Sequence, residues 1–174
     1  MFRQLPKDKM FEVMKNLVYV YSSAWFKSEK MVIERYGLEA SLSEGFMELF
    51  RDFGAKEARR LVELELIGGT NIDSIIKGFK LSHWALFEDI KFRKLSDNIA
   101  IMRTIDCSRQ KYAKSKWGTE YPCKDLHFSL ESRIGFAKAI NPKAEVTCSF
   151  CPPDQRSKSI PENLSCQWTI KVSD

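Results

Sequence analysis

The hydrophobic period of this chain changes near residue 80, and that change limits its fold more than any other feature. Before residue 80, apolar residues recur every three or four positions, a spacing that predicts helices. After it, short segments rich in aromatic and β-branched residues predict strands. A helical half (residues 1–80) followed by a sheet-forming half (residues 81–174) predicts an α+β fold. We expect N-terminal helices packed on a four-stranded antiparallel sheet with inserted helices.

The first half predicts four helices, which are bounded by capping and breaking residues. They are residues 7–35, ended by Gly37; "SLSEGFMELFRDFG", begun by Ser41 or Ser43 and ended by Gly54; "AKEARRLVELEL", ended before Gly68; and "NIDSIIKGF", capped by Asn71. We therefore expect the helices of residues 7–66 to supply one wall of the core.

The second half predicts four strands, of which the first two form a hairpin across the turn "LSDN". The strands are "HWALFEDIKFR", "IAIMRTIDC", "AEVTCSF" and "SCQWTIKV"; the inserted helices are "SRQKYAKSKW" and a segment from Pro122 to Asn141. Side chains two residues apart on a strand share a face. On this basis we expect Ile101, Val146 and Trp168 to face the helical wall.

Length and composition are those of an ordinary globular protein. A chain of 174 residues can bury a core and is expected to form a single domain, residues 1–174. Its 44% hydrophobic and 29% charged residues exclude the disordered class. The sequence has no apolar run long enough to span a membrane and no apolar segment typical of a secretory signal at its start. We expect a cytoplasmic protein without a membrane partner.

The charge of the chain does not identify a partner. The formal net charge of +5 is mild, and the lysines and arginines are interspersed with acidic residues. The densest basic segment, residues 108–117, is typical of a solvated helix face. Nucleic-acid binding, which needs a concentrated basic face, is left as the remote alternative.

Five cysteines, all after residue 106, are the most informative residues for function. They are Cys107, Cys123, Cys148, Cys151 and Cys166. The odd count argues against a complete set of disulfides, and a reducing cytosol argues against structural disulfides altogether. Packing, redox chemistry and metal binding remain as interpretations.

The pair Cys148 and Cys151 has the spacing of half a metal site. Two thiolates in C-x2-C can bind one tetrahedral ion, and Cys107 and Cys123 would have to supply the other ligands. Zinc is the expected metal, and an iron–sulfur cluster on the same four thiolates is the alternative. A redox pair is less expected, since a thioredoxin-like motif opens a helix whereas this one follows a strand.

Two further residues bear on the cysteine interpretation. Cys166, which shares a strand face with Trp168, is expected to be a packed thiol. His127, four residues after Cys123 on a predicted helix, is a further candidate ligand.

Glu88 and Arg103 interrupt the apolar phase of the predicted hairpin. A buried charge without a partner is costly, so the two either pair with each other or are turned outward by a bulge. Alternatively, Glu88 is a metal ligand or general base, and Arg103 clamps an anionic group of a substrate. Arg109 is a second candidate for the clamp. We expect Glu88 and Arg103 on the same side of the hairpin.

The second half of the chain resembles a known group of proteins. The ordered segments "DCSRQ", "YPCK", "FAKAINP", "CSFCPPD" and "CQW" resemble an uncharacterised cysteine-rich family of archaea and anaerobic bacteria. That family is similar to amino-thiazoline-carboxylate hydrolase-like proteins and, more distantly, to the vinyl-reductase-type small-molecule-binding domain. The resemblance implies a pocket between helices and sheet. It also implies metal ligands, which by position are Cys107, Cys123, Cys148, Cys151 and Glu88.

Together, the residues and the resemblance predict a cytosolic small-molecule-binding protein with a cysteine-lined zinc site. If it is an enzyme, metal-assisted hydrolysis of a C–N or C–S bond in a small cyclic carboxylate is the simplest chemistry. Glu88 would then be the base, and Arg103 or Arg109 the carboxylate clamp. The alternative is a non-catalytic sensor or interaction domain with a structural zinc or iron–sulfur site. The sequence leaves a homodimer open.

Overall fold

The computed structural model describes residues 5–86, 88–121, 123–126, 128–158 and 160–173. His127, the additional candidate ligand, lies outside the described residues. The chain forms two compact units, which divide between Ser41 and Leu42. That the whole chain acts as a single domain stays a prediction.

The first unit consists of helix α1, Lys7–Tyr36, and the short helix α2, Leu38–Ser41. Gly37 separates them, as predicted, because its φ of 84° is favourable for glycine and ends α1. Its amide donates to the carbonyl oxygen of Ile33 at 2.9 Å. None of the helices in the described part of the chain combines the length and apolar character that a membrane span requires.

The second unit contains the remaining helices and the antiparallel sheet, so the predicted α+β fold is confirmed. The helices are α3 Glu44–Glu63, α4 Ile72–Leu81, a 3₁₀ helix His83–Leu86, α5 Ser108–Trp117, α6 Cys123–Leu126 and α7 Phe128–Ile140. The strands are β1 Asp89–Lys94, β2 Ile99–Asp106, β3 Ala144–Phe150 and β4 Cys166–Val172. The predicted cap of α4 is confirmed, since the Asn71 side chain accepts from the Ser74 amide at 3.0 Å.

The four strands lie in the order β1-β2-β4-β3, and every neighbouring pair is antiparallel. The start of β1, the end of β2, the start of β4 and the end of β3 therefore lie at the same end of the sheet. We call this the thiol end, because the residues at these four positions include or adjoin Glu88, Cys107, Cys151 and Cys166.

The prediction that Gly54 ends a helix is wrong, because α3 continues through it to Glu63. A Cβ atom at Gly54 would lie 1.9 Å from the carbonyl oxygen of Ser132, and one at Gly135 would lie 2.0 Å from that of Arg51. Helices α3 and α7 thus approach each other at backbone distance. The glycine serves this close approach rather than a helix end.

The predicted facing of β2 is wrong by one residue. Met102 lies opposite Trp168 in the sheet, whereas Ile101 lies opposite Thr169 on the other face. The inward residues of β2 are Ala100, Met102 and Thr104, each fully buried. Apolar residues occupy both phases of "IAIM", so alternation did not identify the inner face.

The inner face of the sheet carries Val146 and Trp168, as predicted, and helices α4 and α7 contact the sheet. Helix α3 packs on α7. That α1 belongs to the same wall stays a prediction.

The first predicted strand is also shorter than expected, because residues 83–86 form the 3₁₀ helix and β1 begins at Asp89. Trp84 in this helix packs against Phe79 and Phe136, with 5.7 Å between ring centroids in each case. Tertiary packing of this aromatic cluster overrides the β propensity of the segment. Glu88 consequently precedes the strand rather than lying on it.

Candidate functional site

All five cysteines reach the thiol end of the sheet as free thiols. Cys107 follows β2, Cys166 begins β4, and Cys148 and Cys151 lie on and just after the end of β3. Cys123 begins α6, and the next amide, that of Lys124, donates to the carbonyl oxygen of Pro152 at 3.0 Å. This hydrogen bond holds the start of α6 against the turn that follows Cys151.

A bulge in β3 directs Cys148 and Cys151 toward the same side. Cys148 lies opposite Trp168 on the inner face, but the register then shifts, and Phe150 lies opposite Gln167 on the outer face. A bulge adds one residue to a strand and reverses the alternation beyond it. Cys151, which follows Phe150, therefore returns to the inner side and is fully buried, whereas Cys148 stays partly exposed.

The two thiols of this pair differ in acidity. Hydrogen bonding with Cys151 lowers the pKa of the Cys148 thiol, although partial burial opposes the shift. The same hydrogen bond, together with burial, raises the pKa of Cys151. Cys148 is thus the more acidic thiol of the pair.

The turn after the pair is closed by Asp154. Its carboxylate accepts from the Cys151 amide at 3.2 Å and from the Lys124 ammonium at 2.5 Å. Hydrogen bonding with Lys124 lowers the pKa of Asp154. This ion pair is largely exposed, with half of the Lys124 side chain in solvent.

The other three thiols, Cys107, Cys123 and Cys166, are buried, and each contacts a partner other than cysteine. The indole Nε1 of Trp168 lies 3.0 Å from the sulfur of Cys166, and Nε2 of Gln110 lies 3.3 Å from that of Cys123. Cys107 lies 4.0 Å from a carboxylate oxygen of Glu88.

Burial is the main influence on the acidity of these three thiols. It raises the pKa of Cys107 well above its ordinary range, with Glu88 adding to the shift. It also raises the pKa of Cys166, and that of Cys123 to about 12. These groups therefore remain protonated thiols at neutral pH.

Glu88 forms a buried ion pair with Arg133, not with Arg103. A carboxylate oxygen of Glu88 lies 3.3 Å from Nη2 of Arg133, and the two side chains are only 8% and 3% exposed. The Arg133 guanidinium lies 4.9 Å from the ring centroids of both Trp84 and Trp168.

Sequence reasoning missed Arg133, although a signal was present. Phe136, Ala137 and Ile140 follow it by three, four and seven residues, so it occupies the apolar stripe of α7. An arginine in such a stripe indicates a buried partner.

The prediction that Glu88 and Arg103 share one side of the hairpin is wrong. Arg103 lies opposite Gln167, and its Nε donates to the Gln167 side-chain oxygen at 2.7 Å. Glu88 instead accepts from Thr104 at 3.4 Å, on the inner face. Adjacent strand residues point to opposite faces, so Glu88 and Arg103 do not meet at one ligand.

Arg109 lies close to the thiol cluster, near the start of α5. Its guanidinium carbon is 4.9 Å from the ring centroid of Tyr121, and its charge lowers the pKa of Cys123 against the larger effect of burial. Buried Gln110, which sequence reasoning also missed, exchanges hydrogen bonds with the Tyr121 backbone at 2.8 and 2.9 Å. The predicted clamp role of Arg109 stays a prediction.

The basic segment 108–117 forms α5, as predicted. Two of its lysines have acidic partners: Lys111 lies 2.5 Å from Asp106, and Lys114 lies 3.1 Å from Glu120. The pairing reduces the positive charge available on this helix.

The donor set at the thiol end fits a metal only in part. Cys148 and Cys151 provide two adjacent sulfurs, but a tetrahedral thiolate site needs about four. Across the described residues, no group of three or more His, Cys, Asp and Glu side chains is arranged to hold an ion. Cys107 and Cys123 lie in the same cluster without completing such a site.

Comparison with known proteins gives a family. Neither the curated proteins nor the solved structures contain a match to this chain. A family model described as a family of unknown function, DUF6125, matches residues 3–172, which is nearly the whole sequence. The chain therefore belongs to the DUF6125 family.

Proposed function

We propose that this protein binds a small ligand at the thiol end of the sheet and that zinc, held by Cys148 and Cys151, is part of the site. The observation that carries the proposal is the bulge in β3, which turns two cysteines three residues apart toward one side. Thiolates are the form that binds zinc, and hydrogen bonding with Cys151 lowers the pKa of Cys148, which favours its thiolate.

Completion of a zinc site requires side-chain movement at the thiol end. Cys123 is the first candidate for a third ligand, because the adjacent Lys124 amide is bonded to the turn beside Cys151. Its thiol would have to leave Gln110 and lose a proton, which zinc promotes at a coordinating sulfur. Cys107 is the second candidate, and its binding to zinc would break its contact with Glu88.

Metal analysis of the anaerobically purified full chain tests this proposal. We expect about one zinc per chain and a melting temperature that falls when a chelator removes it, since metal binding contributes folding free energy. Cys148→Ser and Cys151→Ser should each lower both metal content and melting temperature. Cys166→Ser is the matched control, because it alters a buried thiol of the same sheet end and should leave the zinc in place.

Three outcomes would contradict the zinc proposal. One is a chain that binds no zinc after equilibration with the ion; another is a zinc content that depends on Cys166 but not on Cys148. Stoichiometric iron with visible absorption would replace zinc by the iron–sulfur alternative.

A structural role for the metal is the second candidate, and burial favours it. Cys107, Cys123, Cys151 and Cys166 are each at most 8% exposed. A catalytic zinc keeps a coordination position open to water, whereas a structural zinc is closed by four protein ligands. Cobalt substitution followed by X-ray absorption distinguishes the two by the number of sulfur ligands.

Hydrolysis of a small cyclic carboxylate extends the first proposal. Glu88 would act as base with Arg109 as clamp, since Arg103 lies on the other face of the sheet. Zinc-dependent turnover that Glu88→Gln abolishes would support this extension. A homodimer and nucleic-acid binding have no specific support at the thiol end.

A further inference from the structure

We propose that Cys148 and Cys151 form a dithiol–disulfide couple that exchanges with small-molecule disulfides. This redox activity goes beyond metal binding and does not depend on it. The proposal stands on the geometry of the end of β3 and on the different partners of the five thiols.

The first argument is orientation. Without the bulge, residues 148 and 151 would point to opposite faces, because side chains alternate along a strand. The register shift between Cys148 and Phe150 removes this obstacle and brings both cysteines to the same, inner side of the strand end. A disulfide between them therefore requires approach of the two sulfurs, not a new fold of the segment.

The second argument is unequal exposure. Cys148 is partly exposed, whereas Cys151 is fully buried behind it. A disulfide from solution can therefore reach only the first sulfur, which makes Cys148 the attacking residue. Cys151 is shielded from solution but adjacent to Cys148, which is the arrangement that a resolving thiol needs.

The third argument concerns the competing thiols. Cys166 contacts the Trp168 indole and Cys123 contacts Gln110, and both are buried. Cys107 lies beside the buried carboxylate of Glu88, which opposes formation of a second negative charge there. Exchange is thereby confined to the Cys148–Cys151 pair.

The reaction balances with a small-molecule disulfide as oxidant. The Cys148 thiolate attacks one sulfur of the disulfide and releases one small thiolate, which leaves a mixed disulfide on Cys148. Cys151 then loses its proton and attacks the Cys148 sulfur, which forms the intramolecular disulfide and releases the second small thiolate. The protein dithiol is oxidised by two electrons and the small disulfide is reduced to two thiols; the reverse reaction reduces a disulfide substrate.

The test uses the full chain, stripped of metal with a chelator and kept anaerobic. The protein is equilibrated with mixtures of oxidised and reduced glutathione, quenched with acid, alkylated and mapped by peptide mass spectrometry. We expect a disulfide between Cys148 and Cys151 whose fraction rises with the oxidised share and is lost on addition of reductant. Cys107, Cys123 and Cys166 should remain alkylatable thiols.

Two variants assign the roles of the pair. Cys151→Ser should accumulate a glutathione mixed disulfide on Cys148, because the resolving thiol is missing. Cys148→Ser should lose both the intramolecular disulfide and the mixed disulfide. Cys166→Ser is the control and should oxidise like the wild type.

The proposal is overturned if the wild-type pair stays reduced in the most oxidising mixture, or if Cys148 bonds mainly to Cys123 or Cys166. It is also overturned if Cys151 takes up glutathione in the Cys148→Ser variant. Because the protein is free of metal, these results are independent of zinc binding, which is measured separately.

Discussion

The Cys148–Cys151 pair and the buried trio of Cys107, Cys123 and Cys166 occupy the same end of one sheet, yet they differ in chemistry. Each member of the pair shifts the pKa of the other, and Cys148 is partly exposed. Each member of the trio contacts Glu88, Gln110 or Trp168 instead. Partners and exposure, rather than residue type or position in the fold, therefore distinguish the two groups of thiols.

The ion pairs beside the two groups repeat the contrast. The trio adjoins the buried pair Glu88–Arg133, whereas the turn after Cys151 carries the exposed pair Lys124–Asp154. Removal of one partner from a buried pair leaves an uncompensated charge, whereas an exposed pair is solvated and contributes little.

The largest loss of stability is expected from Arg133→Met. It leaves the Glu88 carboxylate buried and removes the cation between Trp84 and Trp168, so the free energy of unfolding should fall by about 3–5 kcal/mol. Lys124→Met is the matched control at the exposed ion pair and should lower the free energy of unfolding much less. Urea denaturation of both variants measures the difference.

A double-mutant cycle sharpens this prediction. Glu88→Gln in the Arg133→Met background should recover part of the loss, because no charge is then left without a partner. Equal destabilisation by Arg133→Met and Lys124→Met would contradict the contrast between the two ion pairs.

The sequence predicted the elements of the second unit better than their relative placement. Helix α5 and strands β3 and β4 coincide with predicted segments, because capping residues and short runs of β-branched residues are local signals. The order β1-β2-β4-β3 and the facing of β2 depend on contacts between distant segments. Ile99 and Ile101 share a phase, but their apolar character did not outweigh the packing of Met102 beneath Trp168.

The candidate site was predicted in part for the same reason. The C-x2-C spacing identified Cys148 and Cys151, but it does not predict the bulge that brings them to the same side. Glu88 was identified as a charge in need of a partner. Its partner Arg133 lies 45 residues later in the sequence, on α7. The alternation of residues within the predicted hairpin therefore could not identify this partner.

A loss of stability of intermediate size is expected at alkaline pH, and it arises from the buried trio. Burial raises the pKa of Cys123 from 9.0 to about 12, so the folded state holds a proton that the unfolded state loses first. The stabilisation is complete below pH 9 and is lost as the pH rises toward 12. Between those limits the free energy of unfolding should fall by up to about 1.4 kcal/mol per pH unit for this group.

Cys123→Ala isolates that contribution, because it removes the titrating thiol while lysines and tyrosines still titrate. Its unfolding free energy should decline less steeply above pH 9 than that of the wild type. Cys148→Ala provides the comparison at the pair, where the native pKa is lowered, and it should not flatten the decline. Parallel pH profiles for wild type and Cys123→Ala would contradict the assignment.

The smallest expected effect concerns the rate of alkylation of Cys148 at pH 7. The thiolate is the reactive form, so the lowered pKa should make Cys148 the first cysteine that iodoacetamide modifies in the reduced, metal-free protein. Hydrogen bonding with Cys151 is the main cause of that shift. Cys151→Ala removes the donor and should raise the pKa of Cys148. The thiolate fraction at pH 7 then falls roughly tenfold for each unit by which the pKa rises, so alkylation should slow. A more basic thiolate is intrinsically more reactive, which offsets part of this loss of rate. Cys151→Ser is the matched control, because its hydroxyl keeps a donor near the Cys148 sulfur and should preserve most of the rate. Equal rates for the alanine and serine variants would mean that exposure alone, and not the partner thiol, distinguishes Cys148 from the buried trio.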